Sequence, residues 1–320
     1  MPIKWDPEFR EAVAPIFAAR ANEPKPDAPD PLAVRAAVTA AFETMLSQLP
    51  RATEVEHSEH RVPSYDGETI PVHRFWKKET ETTTPAPALI HLHGGGMIFG
   101  SGDMFHNSCA LTVQETGVQI FTVDYRLAPE HRFPTPVEDC YAALAWVHKN
   151  AEQFGIDRQR IGALGGSAGA NLAAAITLMA RDRGLSPGVA KQILVYPMLD
   201  DTNTVARPVR DAAAIWTTTT NAMAWSTYLG DLYGSDHVSP YAAPARVVSV
   251  EGLPPTYLEI GTADIFLEET LKFASRLAAA DIEVELHVHP GLPHGFEIYA
   301  PFIGATQRAM ANRYRAMSTM

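Results

Sequence analysis

The chain has 320 residues, 46% of them hydrophobic and 20% charged, with a formal net charge of −11. That length suits one large domain with an accessory lobe and is short for two independent domains. The negative charge disfavours nucleic acid and anionic membrane surfaces as partners, and two cysteines, Cys109 and Cys140, are too few for a disulfide framework.

Both cysteines fall in stretches with helical patterning, where a free thiol behaves as a small apolar residue. A reducing cytoplasm is the expected location. The opening MPIKWDPEFREAVAPIF carries acidic residues and no uninterrupted apolar run, which is unlike a signal peptide. No window approaches the ~20 apolar residues of a membrane span.

In chain order, residues 22–31 (NEPKPDAPDP) read as a polar, proline-rich connector between two N-terminal helices. The second helix, about 32–49, carries Val34, Val38, Ala41, Phe42, Met45 and Leu49 at helical spacing, with Pro50 after it. EVEHSEHRV and TIPVHRFW alternate polar with apolar residues and predict an antiparallel pair at a sheet edge. Residues 79–88 (ETETTTPAPA) read as a surface turn.

From there short apolar runs alternate with helical patterns. The runs are 89–93, 118–123, 160–165, 191–196, 255–260 and 284–289, with helices expected at about 136–150, 168–182 and 266–280. This alternation predicts an α/β fold, a parallel sheet covered on both faces. The interval of roughly 60 residues after the run at 191–196 exceeds what a plain crossover needs. It holds a helical segment at 216–230 and reads as an insertion over the carboxyl ends of the strands, where ligands bind in open α/β sheets. The expected division is N-terminal cap helices 1–49, core 50–199, cap insertion 200–245 and core 246–320.

Gly165-Gly166-Ser167-Ala168-Gly169 is a G-x-S-x-G between a predicted strand and a predicted helix, the arrangement of a nucleophile elbow. Glycines suit a strained turn where backbones pass too close for a Cβ, and a helix starting at Ala168 aims its dipole at Ser167. His93-Gly94-Gly95-Gly96 ends an earlier strand, and its bare N–H groups, with that of Ala168, can converge on an oxyanion. A nucleotide-binding loop is the rival, but G-x-G-x-x-G spacing and a phosphate-loop lysine are absent. His294, in the turn-rich PGLPHGF after the last strand, is the expected base. His91/His93 and His287/His289 could each share a strand face as metal ligands. A hydrolytic zinc site needs a third ligand, so no metal is expected. The acid should lie between Ser167 and His294. Glu259, Glu268, Glu269, Asp200 and Asp201 are possible, and position favours Asp264 in the turn after the strand 255–260.

Across residues 60–300 the sequence resembles the hormone-sensitive-lipase-like esterases, the bacterial family IV enzymes of the α/β-hydrolase superfamily. The match is carried by HGGGMIFG, DYRLAPEHRFP (124–134), GGSAGANLA, YPMLD (196–200), WSTYLG (225–230), SPYAAPAR (239–246), GLPPTYLEIGTADIFLEE (252–269) and PGLPHGF (290–296). The resemblance implies an eight-stranded, mostly parallel sheet with a helical cap. It also implies a triad of Ser167, Asp264 and His294, and oxyanion donors at Gly95, Gly96 and Ala168. His93, Gly94, Gly165 and Gly169 support these motifs. Met97 stands where relatives usually carry Phe or Trp. Plant hormone receptors on this scaffold lack the histidine that is present here as His294.

The expected activity is therefore hydrolysis of short- to medium-chain carboxylic esters by a serine hydrolase that needs no cofactor, with an amidase or deacetylase using the same triad, or a non-catalytic ligand receptor on the same fold, as the alternatives. The run EVELHVH at 283–289 should end the sheet as an unpaired edge. It is a candidate homodimer strand unless a C-terminal helix at about 300–316 covers it.

Overall fold

A computed structural model describes residues 3–20, 29–78 and 84–320. Residues 22–28 of the connector expected at 22–31 and 79–83 of the turn expected at 79–88 lie outside these residues. Two helices open the chain, α1 (Pro7–Arg20) and α2 (Pro31–Leu46). Asp30 caps α2, its carboxylate accepting the Ala33 N–H at 2.8 Å.

An eight-stranded sheet follows, built from β1 (Val55–Pro63), β2 (Thr69–Lys77), β3 (Ala86–Leu92), β4 (Gln119–Val123), β5 (Ile156–Gly166), β6 (Gln192–Val195), β7 (Thr256–Gly261) and β8 (Val284–His289). The spatial order is β1-β2-β4-β3-β5-β6-β7-β8. β2 pairs antiparallel with β1 and β4, and every other pairing is parallel. The burial pattern explains this division. Every residue of β4, β6 and β7 is buried, as in strands covered on both faces, whereas β1 alternates.

The connecting helices are α3 (His106–Thr116), α4 (Thr135–Lys149), α5 (Ala168–Asp182), α6 (Pro208–Asp211), α7 (Thr218–Leu229), α8 (Leu267–Ala279), α9 (Phe296–Tyr299) and α10 (Gly304–Ser318). In α5 the whole run Ala168–Ala180 is buried, and its alanines and glycine allow close approach on every side. Cys109 on α3 and Cys140 on α4 are free and buried. Among the described residues, no helix is long and apolar enough to cross a membrane.

Two features of the order matter for the site. The chain runs from β3 outward to β4, then back across to β5, so the sheet reverses direction between β3 and β5. A crevice opens at such a switch point, and the segments after both strands meet there: Leu92 pairs with Gly165. On the other side, β8 ends the sheet as the sequence predicts. α10 meets its polar face, where Arg315 pairs with Glu285, while the outer edge has no strand partner among the described residues.

Candidate active site

At the end of β5 the backbone turns sharply at Ser167, with φ 59° and ψ −120°, and α5 begins at the next residue. A side chain rarely adopts that conformation, so the surroundings must enforce it. They do so by close packing of backbone. A Cβ on Gly165 would strike the backbone of Gly169, and one on Gly169 would strike the carbonyls of Leu92 and His93. Gly165 and Gly169 are therefore required by contact.

Ser167 Oγ lies 2.8 Å from His294 Nε2, and His294 Nδ1 lies 2.7 Å from Asp264 Oδ2. Asp264 is fully buried in the turn after β7, where its other oxygen accepts the Phe266 N–H at 2.9 Å. Arg210 holds the same turn by donating to the carbonyls of Thr262 and Asp264. His294 follows β8, and the rings of Tyr196 and Phe266 meet its ring edge-on at centroid distances of 4.6 and 5.1 Å. A carboxylate can only accept, so Nδ1 carries the proton and Nε2 is free to take one from the hydroxyl.

The HGGG segment stands beside the elbow. Gly95 has φ 131°, and its carbonyl accepts the N–H groups of Ile98 and Phe99, which makes a tight turn. The N–H groups of Gly95, Gly96 and Ala168 have no protein acceptor among the described residues. Met97 is fully buried beneath this turn with φ 64°, and its carbonyl accepts the Ala128 N–H. The DYRLAPE stretch supports the turn from below. The Tyr125 ring stacks on His93 at 4.2 Å and its hydroxyl donates to the His93 carbonyl at 2.7 Å. Arg126 bonds the fully buried Asp139 and the more exposed Asp66.

The other acids named from sequence are engaged elsewhere. Glu259 pairs with Arg313, Asp201 with Arg246, and Glu268 with Arg207 and Lys272. Glu269 accepts the Leu199 N–H and burial pushes its pKa well above the carboxylate range. Asp200 bonds Thr202. Among the described residues, neither histidine pair belongs to a cluster of three potential metal ligands. His91 faces Thr122 and burial lowers it to about 3, and burial likewise lowers His93.

A cavity of about 1330 Å³ opens over Ser167 and His294. Val34, Val38 and Phe42 of α2 and Trp216 contribute to its wall. Trp216 packs on Gly96, where a Cβ would come within 2.7 Å of its ring. Sequence reasoning missed two contributors. Arg35 ties α2 to the turn after HGGG, and Glu297 follows three residues behind His294. The first left no motif signal, and the second lies one residue beyond PGLPHGF, on α9.

The fold and this pocket define a hydrolase class, and comparison with known proteins agrees. Residues 89–298 match the model of the alpha/beta hydrolase fold family, and the chain belongs to that family. It is 32% identical over 280 residues to esterase LipI of Mycobacterium tuberculosis, covering 84% of each chain. It is 34% identical to carboxylesterase NlhH of the same species, covering 81% of each. Among solved structures, a bacterial heroin esterase superposes with a TM-score of 0.87 at 36% identity, over 99% of this chain and 98% of that one. This kinship supports esterase activity of the serine-hydrolase type and a small-molecule ester as substrate.

Proposed function

We propose that this protein is a carboxylesterase of the hormone-sensitive-lipase-like (bacterial family IV) group, cleaving short- to medium-chain esters through an acyl-enzyme. The observation that carries the reading is the hydrogen-bonded row of Ser167, His294 and Asp264, drawn from the ends of three different strands. Ser167 Oγ attacks the acyl carbonyl while His294 Nε2 takes its proton. Asp264 holds the imidazole in the required tautomer and stabilises its charged form. The oxyanion is received by the N–H groups of Gly95, Gly96 and Ala168. His294 then protonates the leaving alcohol, and water repeats the sequence on the acyl group.

Residues 1–49 and 200–245 act as the cap in this reading. The wall formed by α2 and Trp216 bounds the cavity, so a substrate must fit beneath it. The outer edge of β8 pairs two copies as a homodimer, since its N–H and C=O groups otherwise lack a strand. Two free, buried cysteines fit a reducing cytoplasm.

Kinetics on p-nitrophenyl acetate and a matched anilide test the proposal. The ester should be the better substrate, and Ser167→Ala or His294→Ala should lower kcat by about 10⁴–10⁶ with the fold intact. Near-full activity of folded Asp264→Asn would refute the acid assignment.

A further inference from the structure

Directly after β6 the chain turns at Tyr196, whose φ of 35° is positive although the residue carries a Cβ. Residues held this way need surroundings that over-determine them. The Tyr196 N–H donates to the Glu259 carbonyl at 2.7 Å. Its ring lies beneath the elbow, where a Cβ on Gly166 would sit 3.4 Å from it. The ring also meets the His294 imidazole at an interplanar angle of 63°.

The far end of that ring is anchored by charge. The Tyr196 hydroxyl donates to Glu297 Oε1 at 2.8 Å, and Arg313 Nη1 donates to the same oxygen at 3.0 Å. Arg313 also donates to Glu259 Oε1 through Nε and Nη2, the former at 3.1 Å. The Tyr257 hydroxyl donates to Glu259 Oε2 at 2.6 Å, and His289 Nε2 lies 4.0 Å from that oxygen. Two carboxylates thus share one guanidinium, leaving a formal charge of −1. Burial opposes charge on Glu259, but Arg313 and its hydrogen-bond partners outweigh it and hold the carboxyl down at about 2. Burial, with the Glu297 charge, pushes Tyr196 well above the phenol range, so its hydroxyl stays a donor.

Buried ions are costly, and well-packed apolar side chains of similar volume often serve stability as well. This group is nevertheless built around the loop that carries His294. Glu297 lies on α9 directly after that loop, Tyr196 touches the imidazole, and Arg313 on α10 ties Glu297 to Glu259 of β7. We propose that Tyr196, Glu297 and Arg313 are positioning residues for His294: they clamp its loop and ring, and the net negative charge of Glu259, Glu297 and Arg313 together stabilises the imidazolium formed as Ser167 gives up its proton. The proposal rests on the esterase reading above. The titratable or hydrogen-bonding groups facing His294 are Asp264, Ser167 and Tyr196; those facing Glu297 are Tyr196, Arg313 and, on the same α10, Tyr314, with Glu259, Tyr257 and His289 behind them.

Glu297→Gln and Tyr196→Phe, assayed on p-nitrophenyl acetate across pH, test the clamp. Glu297→Gln keeps the shape and removes one negative charge. Its kcat should fall roughly tenfold with KM within about twofold, and the acid limb of kcat/KM should move down by roughly half a pH unit. Tyr196→Phe keeps the ring and the charge, so kcat should fall roughly threefold with the limb in place. A folded Glu297→Gln variant with a wild-type limb, whatever its kcat, overturns the proposal, as does a wild-type kcat for Tyr196→Phe. If Glu297→Gln does not fold, Tyr196→Phe alone decides through its kcat and KM. A wild-type chain that neither hydrolyses the ester nor reacts with a fluorophosphonate overturns the esterase reading and this inference together. An active wild type with unmoved variants overturns the clamp alone.

Discussion

Arg35 grips Glu130 with both ends of its guanidinium, at 2.8 and 2.7 Å, while donating to the Ile98 and Ala128 carbonyls. The first residue lies on α2 and the second in DYRLAPEH, so this contact joins the helix to that stretch, and the bond to Ile98 reaches the turn that follows HGGG. Arg35 lowers Glu130 to about 2. The pair is partly exposed, at 27% and 50%, so the ion pair itself contributes little once screened.

The bonds to carbonyls matter more, because α2 has no buried residue of its own. Arg35→Ala should weaken the docking of α2 by about 1–3 kcal/mol. Hydrogen exchange over residues 29–46 should then quicken while the sheet stays protected. Unchanged exchange in the variant would show that Val34, Val38 and Phe42 hold the helix without it.

Gly169 packs against the Leu92 carbonyl with no room for a methyl group. Gly169→Ala should cost roughly 1–3 kcal/mol or more of stability, read as a lower urea midpoint, and should lower activity because the elbow shifts. A midpoint within error of wild type would contradict this packing.

Burial lowers the histidines His57, His60, His91, His93, His106 and His148 below their ordinary value of 6.5. Their neutral forms are favoured in the folded state, so the unfolded chain binds more protons once pH falls below about 6.5. The resulting stability is fully present above that pH and is lost as pH falls toward the lowered values, down to about 3 for His91. The deeply buried His91 and His93 should each add a slope of up to about 1.4 kcal/mol per pH unit, and the more exposed His57, His60, His106 and His148 much less, because solvent screens them. Urea midpoints should therefore fall between pH 7 and pH 5, and equal midpoints would exclude this linkage.

Trp216 stands over Gly96 and donates to Asn221 Oδ1 at 3.2 Å. Trp216→Ala should widen the acyl site, raising kcat/KM for octanoate esters relative to acetate by roughly tenfold, an amount within reach of one large side chain. A chain-length series of p-nitrophenyl esters measures it. Strong hydrolysis of emulsified long-chain triglyceride by the wild type would count against the bounding cap.

Much of this site was legible in the sequence because its constraints are local. Ser167 needs glycines on both sides of a strand-to-helix turn, and the HGGG run needs bare backbone, so both leave a pattern in a few residues. His294 stood in a turn-rich loop after the last apolar run. The acid was harder, since several carboxylates follow strands. Only the three-dimensional arrangement shows that Glu259, Asp201 and Glu268 already pair with arginines, leaving Asp264 beside the imidazole.

Contacts between distant segments left no trace. Arg35 and Glu130 are 95 positions apart, and Tyr196 and Glu297 are 101 apart. Their partners follow from the sheet order. Element limits also moved. β5 runs from Ile156, earlier than the apolar run at 160–165, because strand pairing with β3 extends past the hydrophobic residues. α2 ends at Leu46, with turns carrying the chain to Pro50.

The central claim is that Ser167 is the nucleophile, activated by His294. Peptide mapping after reaction with a fluorophosphonate tests it most directly. One phosphonyl group per chain is expected on the peptide holding Ser167, with none on Ser167→Ala and slow labelling of His294→Ala. Labelling of another residue, or full-rate labelling without His294, would contradict it.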